Sequence, residues 1–324
     1  MTMLFAVIVL AFVLDALLGD PHGRFHPVAL FGSAAAEVER FCRASAGDGV
    51  GSGLIGWLLM TGSTAAGAWA LVRLLLAVHP CAGLFAAAGI VYLTIALRSL
   101  VSHAEAIRRP LLRGEPAAAR RALSMIVSRD TAALGESEIV RGGIESLGEN
   151  LIDAVNSAVF FAVLGFLFGG LPGAAAGAVF LRAANTLDAC WGYRNARYLH
   201  FGRIAARADD VLHFVPARLT LFAVALGALF CGMRSGAALR DGIRHRNDHP
   251  SPNSCWGMAA FAGALGVQLG GPTVYGGEAE AYPYWGNGRA VLRPNDLLRA
   301  ERLAVVSALV FAAIVTGVGA LCLQ

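Results

Sequence analysis

The stretch Ser128–Asn156, SRDTAALGESEIVRGGIESLGENLIDAVN, decides how the rest of the chain is read. It is dense in charge, inside a chain that is 56% hydrophobic. Read as a helix from about Ser137, it sets Glu138, Arg141, Glu145, Glu149, Asp153 and Asn156 three or four residues apart, which is one helical face. Asp153 and Asn156 already lie inside the apolar run that follows. Ionisable groups at such a place are expensive, and they face a cavity or a partner. The face is therefore expected to line a wet site at a membrane boundary. The plainer reading is a solvated helix that merely precedes a span.

Composition points the same way. A mean hydropathy of +0.61 with 15% charged residues is membrane composition and excludes an ordinary soluble domain. The formal charge of +4 is modest and the basic residues are dispersed, so no nucleic-acid partner is expected. The chain has arginine but no lysine, so neither a Walker lysine nor a Schiff base is available. The six cysteines, Cys42, Cys81, Cys190, Cys231, Cys255 and Cys322, form no C-x-x-C pair. They read as small core residues, with no disulfide or zinc framework.

Towards the N-terminus, Met1–Leu18 is apolar without a basic leader, which suggests a retained membrane helix. In GDPHGRFHPVALFG, residues 19–32, the prolines force turns. Asp15, Asp20, His22, Arg24 and His26 gather there; they suit an anion or a metal, and turn chemistry explains them equally well. Leu54–Val78 is long enough to span, His79-Pro80 breaks the chain, and Cys81–Leu97 returns as a hairpin partner. Arg98–Arg129 is arginine-rich and helix-prone, with His103 and Glu105 expected on the surface.

Towards the C-terminus, Leu151–Phe168 and Ala174–Ala184 make a second hairpin about the turn 169–173. Small residues in its second arm suit close packing. That arm runs into Arg182, Asn185 and Asp188 at i, i+3 spacing. Trp191–Asp210 then interleaves aromatic and basic residues, among them Tyr193, Arg194, Arg197, Tyr198 and His200. This is either an interfacial belt or an anion-binding rim of arginine forks. Asp209, Asp210 and His213 can meet across one turn.

Phe214–Met233 is interrupted by Pro216 and Arg218, so its spanning length is doubtful. HPSPNSCWG, 249–257, is a stiff loop. Met258–Gly271 is too short to span. The glycines of GGPTVYGGE, 270–278, would let backbone N–H groups approach a phosphate, but the signal is weak. Leu303–Leu323 is the last span. The arginine-rich segments 98–149, 182–218 and 234–302 all read as cytoplasmic. Counting spans agrees only if Phe214–Met233 or Met258–Gly271 is re-entrant and packed against protein. The expected fold is one all-α, polytopic membrane domain over 1–324, with polar cytoplasmic loops and one re-entrant or interfacial segment.

Several blocks are recognisable. LLGDP-HGRFHPV, SRDT…EIV…ES-GEN-ID, NTLDACWGYRNARYLHFGRIAARADD, VPARLT and HPSPN…GALGVQLGGP resemble, in order and over nearly the whole chain, the adenosylcobinamide(-phosphate) synthases, the CobD/CbiB family of cobalamin biosynthesis. Gly148 stands where that resemblance leads one to expect alanine. The resemblance implies an amide ligation in the bacterial inner membrane, with the active site on the cytoplasmic side. The free f-propionate of adenosylcobyric acid would be joined to (R)-1-amino-2-propanol or its O-phosphate. ATP and Mg²⁺ are the implied cofactors, and other enzymes of the corrinoid pathway are possible partners beside membrane lipid.

A carboxylate must lose an oxygen as a good leaving group before an amine can attack it, and ATP supplies that activation. Phosphoryl transfer needs Mg²⁺ and cations around the equatorial oxygens, and Mg²⁺ wants oxygen ligands. Glu145, Glu149, Asp153 and Asp188 are the candidate metal ligands, with Asn150 and Asn185 as further oxygen donors. Asn185, Arg129, Asp130, Tyr193, Arg194 and Arg197 are candidates for binding phosphate or substrate. So are Asp20, His26, Ser251, Asn253, Gly270 and Gly271. Glu149, Asn150 and Asp188 are the catalytic candidates. His200, His249, Asp209 and Asp210 are candidate bases for the ammonium proton. The rival readings are a transporter or channel, because polar groups in broken membrane helices also mark transport paths, and a non-catalytic scaffold for corrinoid intermediates.

Overall fold

The computed structural model of the protein describes residues 1–21 and 27–324. The chain runs through α1 (Thr2–Leu18), α2 (Pro27–Ala46), α3 (Val50–Val78), α4 (Pro80–Tyr92), α5 (Leu97–Leu112), α6 (Pro116–Ser124) and α7 (Glu136–Leu151). A single π turn, Ile152–Asn156, leads into α8 (Ser157–Trp191), followed by α9 (Arg203–Leu212), α10 (Phe214–Phe230), α11 (Ser235–Arg244) and α12 (Ser254–Leu265). Four short strands, β1 (Leu269–Gly270), β2 (Thr273–Tyr275), β3 (Glu278–Glu280) and β4 (Tyr284–Trp285), precede α13 (Pro294–Leu321). Among the described residues, five helical stretches are long and apolar enough to cross a membrane: Val50–Val78, Pro80–Leu112, Glu136–Trp191, Arg203–Phe230 and Pro294–Leu321. The protein is an all-α, polytopic membrane protein.

The chain divides into two compact units interleaved in sequence. The first comprises Met1–Ala96, Asp153–His213 and Ala312–Gln324. Here α3 packs on α4 and α8, and α1 packs on α4. His79 starts the return arm: its Nδ1 accepts the Cys81 N–H at 3.1 Å, with Pro80 in the first helical turn. In α8, Gly169 and Gly170 leave helical geometry and split the helix into the two expected arms. The arms meet glycine to glycine, since a Cβ on Gly165 would lie well inside 3.0 Å of the Gly173 carbonyl.

The second unit comprises Leu97–Ile152 and Phe214–Phe311. Its centre is α12, which packs on α7, α10 and α11 and is buried at every position but Trp256. Twelve residues rise about 18 Å, too little for a hydrocarbon core of about 30 Å. The short segment is thus enclosed by protein, as its length required.

Three local readings change. Pro216 does not interrupt α10, because it falls in the first turn, where no intrahelical N–H is needed. Arg218 is accommodated by Asn253 Oδ1 at 2.8 Å and by the faces of Phe214 and Trp256, and Arg203–Phe230 is long enough to span. Glu105 is no free surface group, since it accepts hydrogen bonds from Arg108 and Arg109. The unbroken helical period assumed from Glu138 to Asn156 ends after Leu151, where Ile152–Asn156 forms a π turn. At the other end of that stretch, Glu138 closes back on the Gly135 N–H at 2.8 Å as a cap.

Candidate active site

In the second unit, α7 and α12 cross at glycine. A Cβ on Gly257 would fall well inside 3.0 Å of the Gly148 carbonyl, and this approach sets Ser254 beside Glu149. The Ser254 hydroxyl donates to Glu149 at 2.9 Å. One turn earlier both oxygens of the buried Glu145 are engaged. Oε2 lies 2.6 Å from the Arg129 guanidinium, and Oε1 accepts the Gly270 N–H at 2.7 Å. Burial works against the Arg129 charge, but Glu145, with Tyr275 and Glu149, more than offsets it and raises its pKa. Gly270 has φ +73° and no room for a Cβ against Pro283 and Trp285. Its amide is directed to Glu145, not to a phosphate.

The stretch 269–285 forms two small antiparallel pairs, β1 with β4 and β2 with β3. Gly276 and Gly277, both at positive φ, make the tight turn between β2 and β3. Asp130 fastens this hairpin: its carboxylate accepts the Gly277 N–H at 2.8 Å and its own N–H donates to Val274 at 2.8 Å. That structural duty occupies a residue nominated for phosphate.

These elements enclose a pocket of about 140 Å³, lined by Arg129, Glu145, Glu149, His249, Tyr275, Tyr282 and Trp285 among others. The HPSPN loop sets His249 through a chain of hydrogen bonds. The Ser251 N–H donates to His249 Nδ1 at 3.1 Å, the Asn253 N–H to Ser251 Oγ at 3.3 Å, and Arg218 to Asn253. Nδ1 thus accepts, and the neutral ring carries its proton on Nε2. In that tautomer His249 offers a donor and has no free acceptor nitrogen, which suits binding better than proton removal. Ser251 and Asn253 serve the loop. Asn150 turns back to Ser146, 2.9 Å from its carbonyl and 3.2 Å from its hydroxyl.

Burial, ahead of the opposing pull of Glu149 and Glu145, pushes the His249 pKa below its ordinary value. The stability tied to the neutral ring is therefore fully present above about pH 6.5 and is lost as pH falls towards the lower folded-state value. Thermal melting between pH 7 and pH 5 should show this loss, and His249→Asn should shrink it.

The remaining candidates belong to the first unit. Asn185 donates to Asp209 at 3.1 Å. The buried His213 stands 3.3 Å from Asp209 and 3.7 Å from Asp153. Asp188 lies close enough to Asp209, Asp210 and His213 for their charges to interact, as Arg194 does to Asp210 and as Asp20 and Asp153 do to Arg182. Arg197 pairs with the buried Glu39 at 3.0 Å, and the Tyr198 hydroxyl donates to Glu39 at 3.2 Å. Of the arginines expected to form a rim, Arg197 is thus a clamp on α2. Tyr193 and His200 are exposed. His26 lies outside the described residues.

The four carboxylates nominated for Mg²⁺ do not form one set within either unit: Glu145 and Glu149 belong to the second, Asp153 and Asp188 to the first. Both Glu145 oxygens already have partners. Among the described residues no three His, Cys, Asp or Glu side chains gather as a metal-holding group. Sequence reading missed Tyr275, Tyr282 and Trp285. The signal was there, in a Gly-Gly pair between two short segments able to form strands.

Residues 8–304 match the family model described as CobD/Cbib protein. The cobalamin biosynthesis protein CobD of Geobacter metallireducens is 42% identical over 291 residues, 90% of this chain and 88% of that protein. The cobalamin biosynthesis protein CbiB of Salmonella typhimurium is 36% identical over 302 residues, 92% of each chain. The CobD protein of Klebsiella pneumoniae is 36% identical over 312 residues, 95% of each. No solved structure matches the chain. With its family model matched over nearly its whole length, this chain belongs to the CobD/CbiB family.

Proposed function

We propose that the protein acts in cobalamin biosynthesis as an amide-forming ligase. It would join (R)-1-amino-2-propanol or its O-phosphate to the f-propionate of adenosylcobyric acid at the cytoplasmic face of the bacterial inner membrane. Family membership supports the pathway. The observation that carries the chemistry is the pocket in which Glu149 on α7, Arg129 and His249 stand together beside the short strands of 269–285. ATP, with Mg²⁺, would supply the activation of the carboxyl group. The protein's part, in this reading, is to hold the amine, orient it and keep water away. Glu149 is the carboxylate available for a ligand, since Ser254 is bonded to one of its oxygens, whereas both Glu145 oxygens are engaged.

Detergent-purified protein given corrinoid, aminoalcohol and ATP is expected to form product without vesicles, with ADP and AMP followed separately. Failure to do so, together with corrinoid movement in sealed vesicles, would mean transport. Glu149→Gln is expected to lower turnover by ~10²-fold or more with the melting temperature preserved. Near wild-type turnover in that variant removes Glu149 from the site.

A further inference from the structure

A second cavity lies inside the first unit, where α3, α4 and α8 meet the first turns of α2. It encloses about 640 Å³, roughly four times the volume of a cavity that takes up benzene. Its walls are apolar: Leu30 and Phe31 from α2, Met60 and Leu71 from α3, Ile90 from α4 and Val179 from α8. The hydroxyls among them point their protons back along the chain. Ser63 and Thr64 donate to the Met60 carbonyl at 3.4 and 2.7 Å, Thr94 to Val91 at 2.7 Å and Thr186 to Arg182 at 2.7 Å. A ligand rich in polar groups would lose its hydrogen bonds to water here and find few in return.

One cation lines this apolar space. Arg182 of α8 borders the cavity and donates through Nη2 to the Thr94 carbonyl at 2.9 Å. Its Nε, shielded from solvent, has no acceptor among the described residues. A guanidinium is a five-donor fork, and a buried donor without a partner calls for an oxygen. The charges of Asp20 and Asp153 already act on Arg182, so the group it lacks is an acceptor and not a further counter-charge. Access comes from the side. Only 11% of the apolar window of α3 is buried, against 44–56% in the other spanning stretches. Depth is set by α2, which is not among those stretches and turns polar from Glu37. Its first turns therefore lie where the hydrocarbon core gives way to the interfacial layer, the level at which acyl chains join their glycerol esters.

We propose that this cavity holds one acyl chain of a membrane glycerolipid, with the ester carbonyl accepting from the Arg182 guanidinium. The walls of α2, α3, α4 and α8 take the chain, the open side of α3 admits it, and the headgroup stays outside in water. Recognition rests on the chain and its ester, so the charge of the headgroup is immaterial. The site belongs to the first unit and is independent of the ligase reading, whose pocket belongs to the second.

Native mass spectrometry of the delipidated full chain, released from detergent with added lipid, counts bound lipids one at a time and tests this. The probes are dioleoyl phosphatidylcholine, its ether-linked analogue, which keeps chains and headgroup but lacks the carbonyls, and the anionic dioleoyl phosphatidylglycerol. The first molecule of ester phosphatidylcholine is expected to bind about tenfold more tightly than the ether analogue, which cannot accept from the guanidinium. Phosphatidylglycerol should match phosphatidylcholine within about threefold. Arg182→Leu should lower the affinity of the ester lipid to that of the ether lipid. Gly67 lines the cavity, and a Cβ added there meets nothing within 4 Å. Gly67→Phe should therefore fill the space without disturbing the fold and abolish the tight first binding of both lipids. Equal affinity for ester and ether lipid in wild-type protein, which needs no variant to fold, overturns the proposal. So does tight first binding that persists in Gly67→Phe. A tenfold preference for phosphatidylglycerol also overturns it, because Arg182 would then be reading a headgroup charge.

Discussion

Arg129→Gln is expected to destabilise the protein by about 3–5 kcal/mol and to abolish product formation. Glu145 is 3% exposed, and its two oxygens meet the Arg129 guanidinium at 2.6 Å and the Gly270 N–H at 2.7 Å. Taking away the cation leaves a buried carboxylate with one neutral donor, and desolvation is no longer offset. Because Gly270 leads into the segment 273–285 that carries Tyr275, Tyr282 and Trp285, the damage reaches the pocket wall. The melting midpoint in detergent should fall by on the order of 10 °C. The double variant Arg129→Met with Glu145→Leu removes both charges and should recover most of that loss, since a buried pair replaced by apolar side chains is often neutral in stability. It should not recover activity. Recovery of activity along with stability would show that the pair only holds the fold.

The paired spans were legible in the sequence because they rest on hydropathy and on strong breakers. His79-Pro80 and the glycines at 169–170 interrupt apolar runs where no helix continues unbroken. The enclosure of α12 was legible from its short length together with the count of spans between the arginine-rich segments. What was not legible was register. The charged face drawn from Glu138 to Asn156 assumed an unbroken 3.6-residue period, and one π turn at Ile152–Asn156 ends it. No residue type announces such a turn. Individual side-chain duties were hidden for a similar reason. Asp130, Arg197 and the Gly270 amide looked available for a ligand, but their partners, Gly277, Glu39 and Glu145, lie about 125 residues or more away in sequence. Local patterns carry no record of contacts at that separation. His249 shows the opposite case: HPSPN is stiff because it is proline-rich, and its stiffness is what aims one ring nitrogen at Ser251.

Gly257→Ala should be among the most damaging of the conservative glycine substitutions, and Gly148→Ala much milder, although the two residues face each other. A methyl group on Gly257 would meet the backbone carbonyl of Gly148, well inside 3.0 Å, and backbone cannot swing aside as a side chain does. On Gly148 the methyl would lie 3.0 Å from the Met258 Cα and 3.1 Å from its nitrogen, so a shift of a few tenths of an ångström relieves it. The resemblance that leads one to expect alanine at position 148 fits this tolerance. Forcing α12 off α7 costs about 1–3 kcal/mol as overpacking and also separates Ser254 from Glu149, which are held at 2.9 Å by that crossing. Turnover should therefore fall further in Gly257→Ala than its lowered melting temperature accounts for. Gly62→Ala on α3, where a methyl meets nothing within 4 Å, is the matched control and should change neither. If Gly257→Ala keeps wild-type melting and turnover, α7 and α12 do not cross at these glycines, and the geometry assigned to Glu149 has to be abandoned.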